Sequence, residues 1–323
     1  MAERCIVCLL MGGTISMKRG PMVGGAVPSL KGQDFLALLP RVEHQVVFEE
    51  FTNLPSSHLT TALITDLIRR VESRLQLPEV AGVVLTHSAD TLEETAYLLD
   101  LALTTTKPVV ITGAMRTATA AGYDGIANLA AAIRVAGSEA AQDQGALVVF
   151  NESIFAASEA QKVHAQHLGA FAAPSAGPLG STASGAPVFF HRVLRRQTIP
   201  LVKLEEPVDL LTATQGCDDR LLRASIESGA RGIVIEALGS GRVPPWWLPL
   251  LQNARARGIP VVLASRTGAG DLGDEYGYVG AYHDLRRLGC LFAPGLNGPK
   301  ARAKLMLALG AVKSADEVRQ FFE

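Results

Sequence analysis

What most constrains this chain is an alternation that repeats from its start: short, unbroken apolar runs separated by longer stretches with apolar residues at every third or fourth position. Cys5–Met11, Val46–Glu50, Gly82–Thr86, Pro108–Thr112 and Ala146–Phe150 have strand length. Between them Leu63, Ile64, Leu67, Ile68, Val71 and Leu75 keep helical spacing, as do Ile126, Leu129 and Ile133. Strands that are apolar throughout are covered on both faces, and strand–helix–strand order makes them parallel. An α/β fold is expected. Thr91 with Glu94 and Ser314 with Glu317 read as capping boxes, and Asp124 as a helix N-cap.

Residues 169–187 are small and loop-like, a hairpin is expected over Val188–Gln197, and a second strand–helix series starts near Val208. Its strands fall near Gly232–Glu236 and Val261–Ser265, with a helix over Lys300–Leu309. The predicted organisation is a larger N-terminal domain (1–195) with a mostly parallel sheet and flanking helices, a linker (196–207) and a smaller C-terminal α/β domain (208–323).

Composition removes several functions. Thirty Lys and Arg against 31 Asp and Glu leave a net charge of -1 with no basic stripe, so neither nucleic acid nor an anionic membrane surface is expected as partner. No run approaches the roughly 18 apolar residues of a membrane span. The apolar run Cys5–Met11 is too short for a secretory signal, and four cysteines fit a reducing compartment, so the cytoplasm is expected. Cys5 and Cys8 form a C-x-x-C, but on a buried strand they read as core.

Open parallel sheets bind ligands beyond the carboxyl ends of their strands. Here those ends carry Thr14, the turn His87–Asp90, Thr112 and Asn151, with Gly12, Gly13, Gly113 and Ala114 allowing a ligand close to the backbone. Hydroxyls, one carboxylate and backbone N–H groups suit a small polar substrate and an oxyanion. No dinucleotide fingerprint surrounds Gly12 or Gly239–Gly241. His164 and His167, three apart on what would be a helix, lack the H-E-x-x-H pattern and carboxylate neighbours. No cofactor and no metal are predicted.

Met11-Gly12-Gly13-Thr14-Ile15, Thr86-His87-Ser88-Ala89-Asp90-Thr91 followed by Glu93-Glu94-Thr95-Ala96, Thr112-Gly113-Ala114-Met115-Arg116, Asp124 to Leu129, Ala156–His164 and Lys300-Ala301-Arg302 occur in this order along nearly the whole chain. Together they resemble the bacterial-type L-asparaginases, including the glutaminase-asparaginases. The resemblance implies a two-domain α/β fold, a homo-oligomer (dimer or tetramer) with sites between subunits, and hydrolysis of a C–N bond other than a peptide bond through a threonyl ester.

It also implies residue roles. Thr14 would be the nucleophile, where its alternative is a turn hydroxyl bonding its own backbone. Asp90 would bind the substrate α-amino group and pair with Lys162; its alternative is charge compensation at a helix N-terminus. Lys162 would be the third catalytic group, although a neighbouring Asp90 favours its charged form. Ser56 or Ser57 would bind substrate, Ser56 by ungapped counting, unless either caps the following helix. Ser88 and Ala89 would line the same pocket.

The pattern departs from the family at Ala89, which stands where the family has its second catalytic threonine. Ser88, one residue earlier and in place of glycine, or a bound water would then supply the missing hydroxyl, or the original activity is lost or changed. The stretch Met17–Leu30 lacks the family's loop tyrosine, and Gly239-Ser240-Gly241-Arg242 brings an arginine that either clamps a carboxylate or faces water. Residues Gly20–Pro28 are the expected lid. The first expectation is an asparaginase-like amidohydrolase acting on a small amide such as L-asparagine. The alternatives are a hydrolase of a related lactone, cyclic imide or substituted amide, and a non-catalytic small-amino-acid binding protein.

Overall fold

The computed structural model describes residues 4–20, 24–194, 196–273 and 275–322. They form two compact units, 1–198 and 199–323. In chain order the first unit contains β1 (Cys5–Leu10), β2 (Met17–Arg19), β3 (Ala26–Pro28), α1 (Gly32–Leu38), β4 (Gln45–Glu50), α2 (Thr61–Leu75), β5 (Val80–Thr86), α3 (Leu92–Ala102), β6 (Val109–Thr112), α4 (Gly125–Gly137), β7 (Ala146–Phe150), β8 (Ser153–Ala156), β9 (Gln161–Lys162), β10 (Phe171–Ala172), β11 (Gly180–Ser181) and β12 (Val188–Phe189).

Eight of these strands form one sheet in the order β12-β11-β8-β7-β6-β5-β1-β4. From β4 to β7 every pairing is parallel; β8, β11 and β12 add antiparallel strands at one end. All six residues of β1 and all five of β7 are buried. That burial explains their unbroken apolar runs: α4 packs on β5, β6 and β7, α2 on β5, and α3 on β6 and β7. Ile6, Cys8, Leu10, Val84, Val110, Leu147 and Val149 join Leu129, Ala132, Ile133 and Ala136 of α4 in one core. Burial pushes the Cys8 thiol well above its ordinary range, as it does Cys290 (to about 12), so neither offers a thiolate.

The second unit carries β13 (Val208–Thr212), α5 (Arg220–Glu227), β14 (Gly232–Ala237), α6 (Leu248–Ala256), β15 (Val261–Ser265), α7 (Tyr282–Arg287), β16 (Leu291–Phe292) and α8 (Gly298–Ala311). Its four strands are parallel in the order β13-β14-β15-β16. No helix among the described residues is long and apolar enough to cross a membrane.

The helices start where the sequence places them, but the caps differ. Thr91 precedes α3 without a side-chain capping bond. Asp124 precedes α4, yet its carboxylate accepts from the backbone N–H groups of Met115 and Arg116, because it is turned back onto the loop after β6. The Ser314 hydroxyl donates to the Glu317 carboxylate instead of capping, and the segment Ala315–Phe321 is a 3-10 helix. The expected hairpin lies earlier than Val188–Gln197: Gly180–Ser181 pairs with Val188–Phe189, leaving 190–194 without strand partners. The expected lid, Gly20–Pro28, contains β3, which pairs antiparallel with β2 just before the segment; Pro21, Met22 and Val23 lie outside the described residues.

Candidate functional site

In the large sheet the chain leaves β1 toward β4 on one side, and β5 to β7 lie on the other. The strand order reverses at β1, so the crevice between the loops after β1, β4 and β5 is where a doubly wound sheet takes a ligand. Thr14 follows β1, Ser56 and Ser57 follow β4, and Ser88, Ala89 and Asp90 follow β5.

Two glycines let these loops meet. A Cβ on Gly12 would lie 2.8 Å from the Leu54 backbone nitrogen, and one on Gly13 2.6 Å from that of Ser88. Both residues have positive φ, 88° and 84°. The segment after β1 thus threads between its neighbours along a path open only to glycine. It is tied down on both sides. Thr52 donates to the Met11 carbonyl at 2.8 Å, and the Met11 N–H reaches the Thr86 hydroxyl at 3.4 Å.

Thr14 opens the short 3-10 turn Thr14–Ser16 and is half-buried. The turn is held by other side chains: Ser16 donates its hydroxyl to the Gly13 carbonyl at 3.0 Å, and Tyr123 donates to the Ile15 carbonyl at 2.5 Å. The Thr14 hydroxyl makes no hydrogen bond to the described residues. The local backbone bond that would explain a turn threonine is made by Ser16.

After β5 the buried His87 sits under the loop. Its Nδ1–H donates to the Ser88 carbonyl at 2.7 Å, so its Nε2 accepts from the Thr95 hydroxyl at 3.0 Å. Burial lowers this imidazole to about 4, which keeps it neutral. Ser88 and Ala89 are buried; Asp90 stands outside, its side chain 73% exposed. Asp90 lies on the rim, past the end of β5 and before the first turn of α3, where water solvates it.

Asp90 nevertheless meets Lys162, whose Nζ donates to Oδ1 at 2.6 Å while only 15% of its side chain is exposed. Lys162 lies on β9, opposite Phe171 of β10, and the Phe171 ring packs 4.8 Å from that of Phe150 at the end of β7. Its backbone N–H donates to the buried Glu93 at 3.0 Å. Glu93 therefore ties the start of α3 to the strand that carries the lysine. In the sequence Glu93 stands only within the motif Glu93-Glu94-Thr95-Ala96, which assigns it no role.

Ser56 and Ser57 separate cleanly. Ser57 is exposed, while Ser56 is buried with a hydroxyl that has no hydrogen-bond partner. Neither caps α2, because Thr60 does so by accepting from Leu63 N–H. Thr112 spends its hydroxyl on the Val149 carbonyl at 2.7 Å, and Asn151 N–H is held by Asn128 Oδ1 at 3.0 Å. Asp124 and Asn128 thus have a local purpose: with Gly113 they pin the loops after β6 and β7.

His164 and His167 lie in a turn after β9, not on a helix. The Nδ1 of His164 accepts the N–H groups of Gln166 and His167, and the Nδ1 of His167 accepts that of Gly169. With Nδ1 occupied as an acceptor, the proton of each neutral ring sits on the outer nitrogen, which has no lone pair for a metal. In the second unit Gly239–Arg242 forms a tight turn, and the Arg242 guanidinium lies 4.6 Å over the Tyr276 ring. It is half-buried, and the aromatic face is one of its partners.

Comparison with known proteins agrees with this layout. Residues 5–195 match the family model described as Asparaginase, N-terminal, and residues 207–322 match the Glutaminase/Asparaginase C-terminal domain. The chain is 39% identical to a protein of Deinococcus radiodurans named a probable L-asparaginase, over 96% of this chain and 94% of that one. It is 32% identical to an L-asparaginase of Bacillus licheniformis (95% and 96%) and 30% identical to a glutaminase-asparaginase of Pseudomonas aeruginosa (98% and 89%). The crystal structure of a probable cytoplasmic L-asparaginase from Campylobacter jejuni superposes with a TM-score of 0.89, at 29% identity and 99% coverage of both chains.

Proposed function

This chain belongs to the asparaginase family, and on that premise we propose that it hydrolyses the side-chain amide of a small amino acid, with L-asparagine the leading substrate, through an ester on Thr14. The observation that carries the reading is the Thr14 hydroxyl, half-buried at the switch point of the sheet and unused by the turn it opens. A hydroxyl held by rigid strand ends and not engaged by the protein is available to attack an electrophilic carbon.

The other groups follow the shape of an amino acid. Asp90, on the rim, takes the α-ammonium. Ser56, buried and without a protein partner, takes a polar atom of the substrate and so recovers the cost of burying an unpaired hydroxyl, about 1–3 kcal/mol. Lys162, held by Asp90, brings positive charge to the developing oxyanion; backbone N–H groups around Gly12, Gly13 and Ala89 share that work. No step requires a metal or organic cofactor. We place the enzyme in the cytoplasm as a homo-oligomer, with its N-terminal domain at 1–195, linker at 196–207 and C-terminal domain at 208–323.

Ala89 occupies the place of the family's second catalytic threonine. A methyl group neither gives nor takes a proton, and loss of a proton-transferring hydroxyl costs roughly 10²–10⁴ in rate. Slow turnover is therefore expected unless another hydroxyl serves. The test is release of ammonia with aspartate from asparagine, or with glutamate from glutamine, by the wild-type protein and by Thr14→Ala. Release by the wild type that Thr14→Ala abolishes supports the reading. Equal release by both, or none by the wild type, overturns it.

A further inference from the structure

Taking Thr14 as the nucleophile, we propose that the Ser88 hydroxyl carries the proton Thr14 gives up, doing from one position earlier what a hydroxyl at position 89 would do. This rests on the function proposed above and adds a catalytic group to it.

The placement comes from the contact between the loops after β1 and β5. A Cβ on Gly13 would fall 2.6, 2.7 and 2.9 Å from the backbone nitrogen, Cα and Cβ of Ser88. Ser88 thus lies directly against the residue before the nucleophile. Neighbouring Cα atoms are about 3.8 Å apart, so the Ser88 Cβ is at most roughly 8 Å from the Thr14 Cα, and each side chain extends a hydroxyl from there. A reacting amide, whose carbon must meet Thr14 and whose nitrogen must be protonated, spans such a gap.

Four other hydroxyls of these strand-end segments are committed, and the unpartnered one of Ser56 is assigned above to the substrate. Ser16 donates to Gly13, Thr52 to Met11, Thr95 to His87 and Thr112 to Val149. Ser88 is 8% exposed, and no described residue hydrogen-bonds its hydroxyl; only its carbonyl is engaged, by His87. The neutral His87 holds the Ser88 backbone from beneath while Gly13 packs on it from above, so the side chain is presented from a fixed base. Asp90 is solvated on the rim and bound to the Lys162 ammonium, which leaves it poorly placed to shuttle this proton.

The step balances without another reactant. The Thr14 oxygen bonds to the amide carbon as its proton passes to Ser88 Oγ, and the proton already on Ser88 passes to the departing nitrogen. The carbon–nitrogen bond breaks, ammonia leaves, and Ser88 again carries one proton. Water then takes the place of ammonia in the reverse relay and frees the acid.

Steady-state kinetics on asparagine, with thermal melting of each variant, test this. Ser88→Ala should lower kcat by about 10²–10⁴ while KM stays within about threefold. The double variant Ser88→Gly with Ala89→Thr should regain most of the loss, since the hydroxyl then returns from the adjacent position. Wild-type kcat in Ser88→Ala alongside an inactive Thr14→Ala overturns the relay and leaves the nucleophile intact. A double variant no faster than Ser88→Ala, melting as the wild type does, also overturns it. Full activity in Thr14→Ala instead removes the reading on which the relay rests.

Discussion

Gly13→Ala puts the geometry under the most direct strain. Gly13 has φ 84° and ψ -178°, a backbone region essentially confined to glycine, and holding a side chain there costs about 1–3 kcal/mol. The new methyl would also overlap the Ser88 backbone at 2.6–2.7 Å and its Cβ at 2.9 Å, where no side-chain rotation can relieve it; overpacking of this kind costs a further ~1–3 kcal/mol. The sum, roughly 2–6 kcal/mol, is a large share of the ~5–15 kcal/mol that holds a domain folded. Urea unfolding followed by circular dichroism should show the first unit losing structure at clearly lower denaturant. Any folded fraction should turn over asparagine at least about 10²-fold more slowly, because relief of the clash moves Thr14 or Ser88. Gly25→Ala is the control: its Cβ meets nothing within 4 Å, and a change within about 0.5 kcal/mol is expected. A Gly13→Ala protein that unfolds with the wild type and keeps its kcat would refute the close approach on which the site is built.

Glu93→Ala should lower kcat and melting temperature together, because the Lys162 N–H loses its buried acceptor at about 1–3 kcal/mol, whereas Glu93→Gln, which keeps an oxygen, should stay near wild type in both; an unaltered Glu93→Ala would show the bond to be idle. Asp124→Ala strips acceptors from the N–H groups of Met115 and Arg116 and from Asn128, and should cost about 2–3 kcal/mol in urea unfolding; a loss below about 0.5 kcal/mol would contradict that anchoring role. His87 gives a pH signature. Its folded value of about 4 lies below the ordinary 6.5, so only the unfolded chain takes up the proton between them. Stability from this group is complete above pH 6.5 and declines as pH falls toward 4, by at most ~3 kcal/mol. The slope of stability against pH in that window should flatten in His87→Gln, and an equal slope in both proteins would exclude His87 as its source.

The sequence announced the scaffold because burial on both sheet faces writes itself as unbroken apolar runs: β1, β6 and β7 fall within such runs, and β5 begins two residues before its own. Caps were less legible. Thr91, Asp124 and Ser314 have the right chemistry for helix starts, but a side chain chooses among all acceptors and donors in reach, and the carboxylate of Asp124 finds two backbone N–H groups in the loop before it. In the site, strand ends marked Thr14, the turn after β5, Thr112 and Asn151 alike, and the family resemblance chose among them. Ungapped counting favoured Ser56 over Ser57; spacing could not reveal that Ser56 is buried without a partner or that Thr60 caps the helix that follows. Glu93 stayed hidden because its partner is a backbone N–H far along the chain. Asp90 shows the converse: the partner was foreseen, but solvent exposure depends on where the turn ends, and the residue came out on the rim.

The central claim is a covalent bond at Thr14, and mass spectrometry of the intact chain reads it directly. The protein is mixed with asparagine, quenched in acid at intervals through the first turnovers, weighed, and then digested to locate any added group. The account predicts an aspartyl adduct on the peptide containing Thr14, present in the wild type, accumulating with the pace of deacylation and missing from Thr14→Ala. Steady aspartate production by Thr14→Ala, or an adduct residing on any other residue, would contradict it.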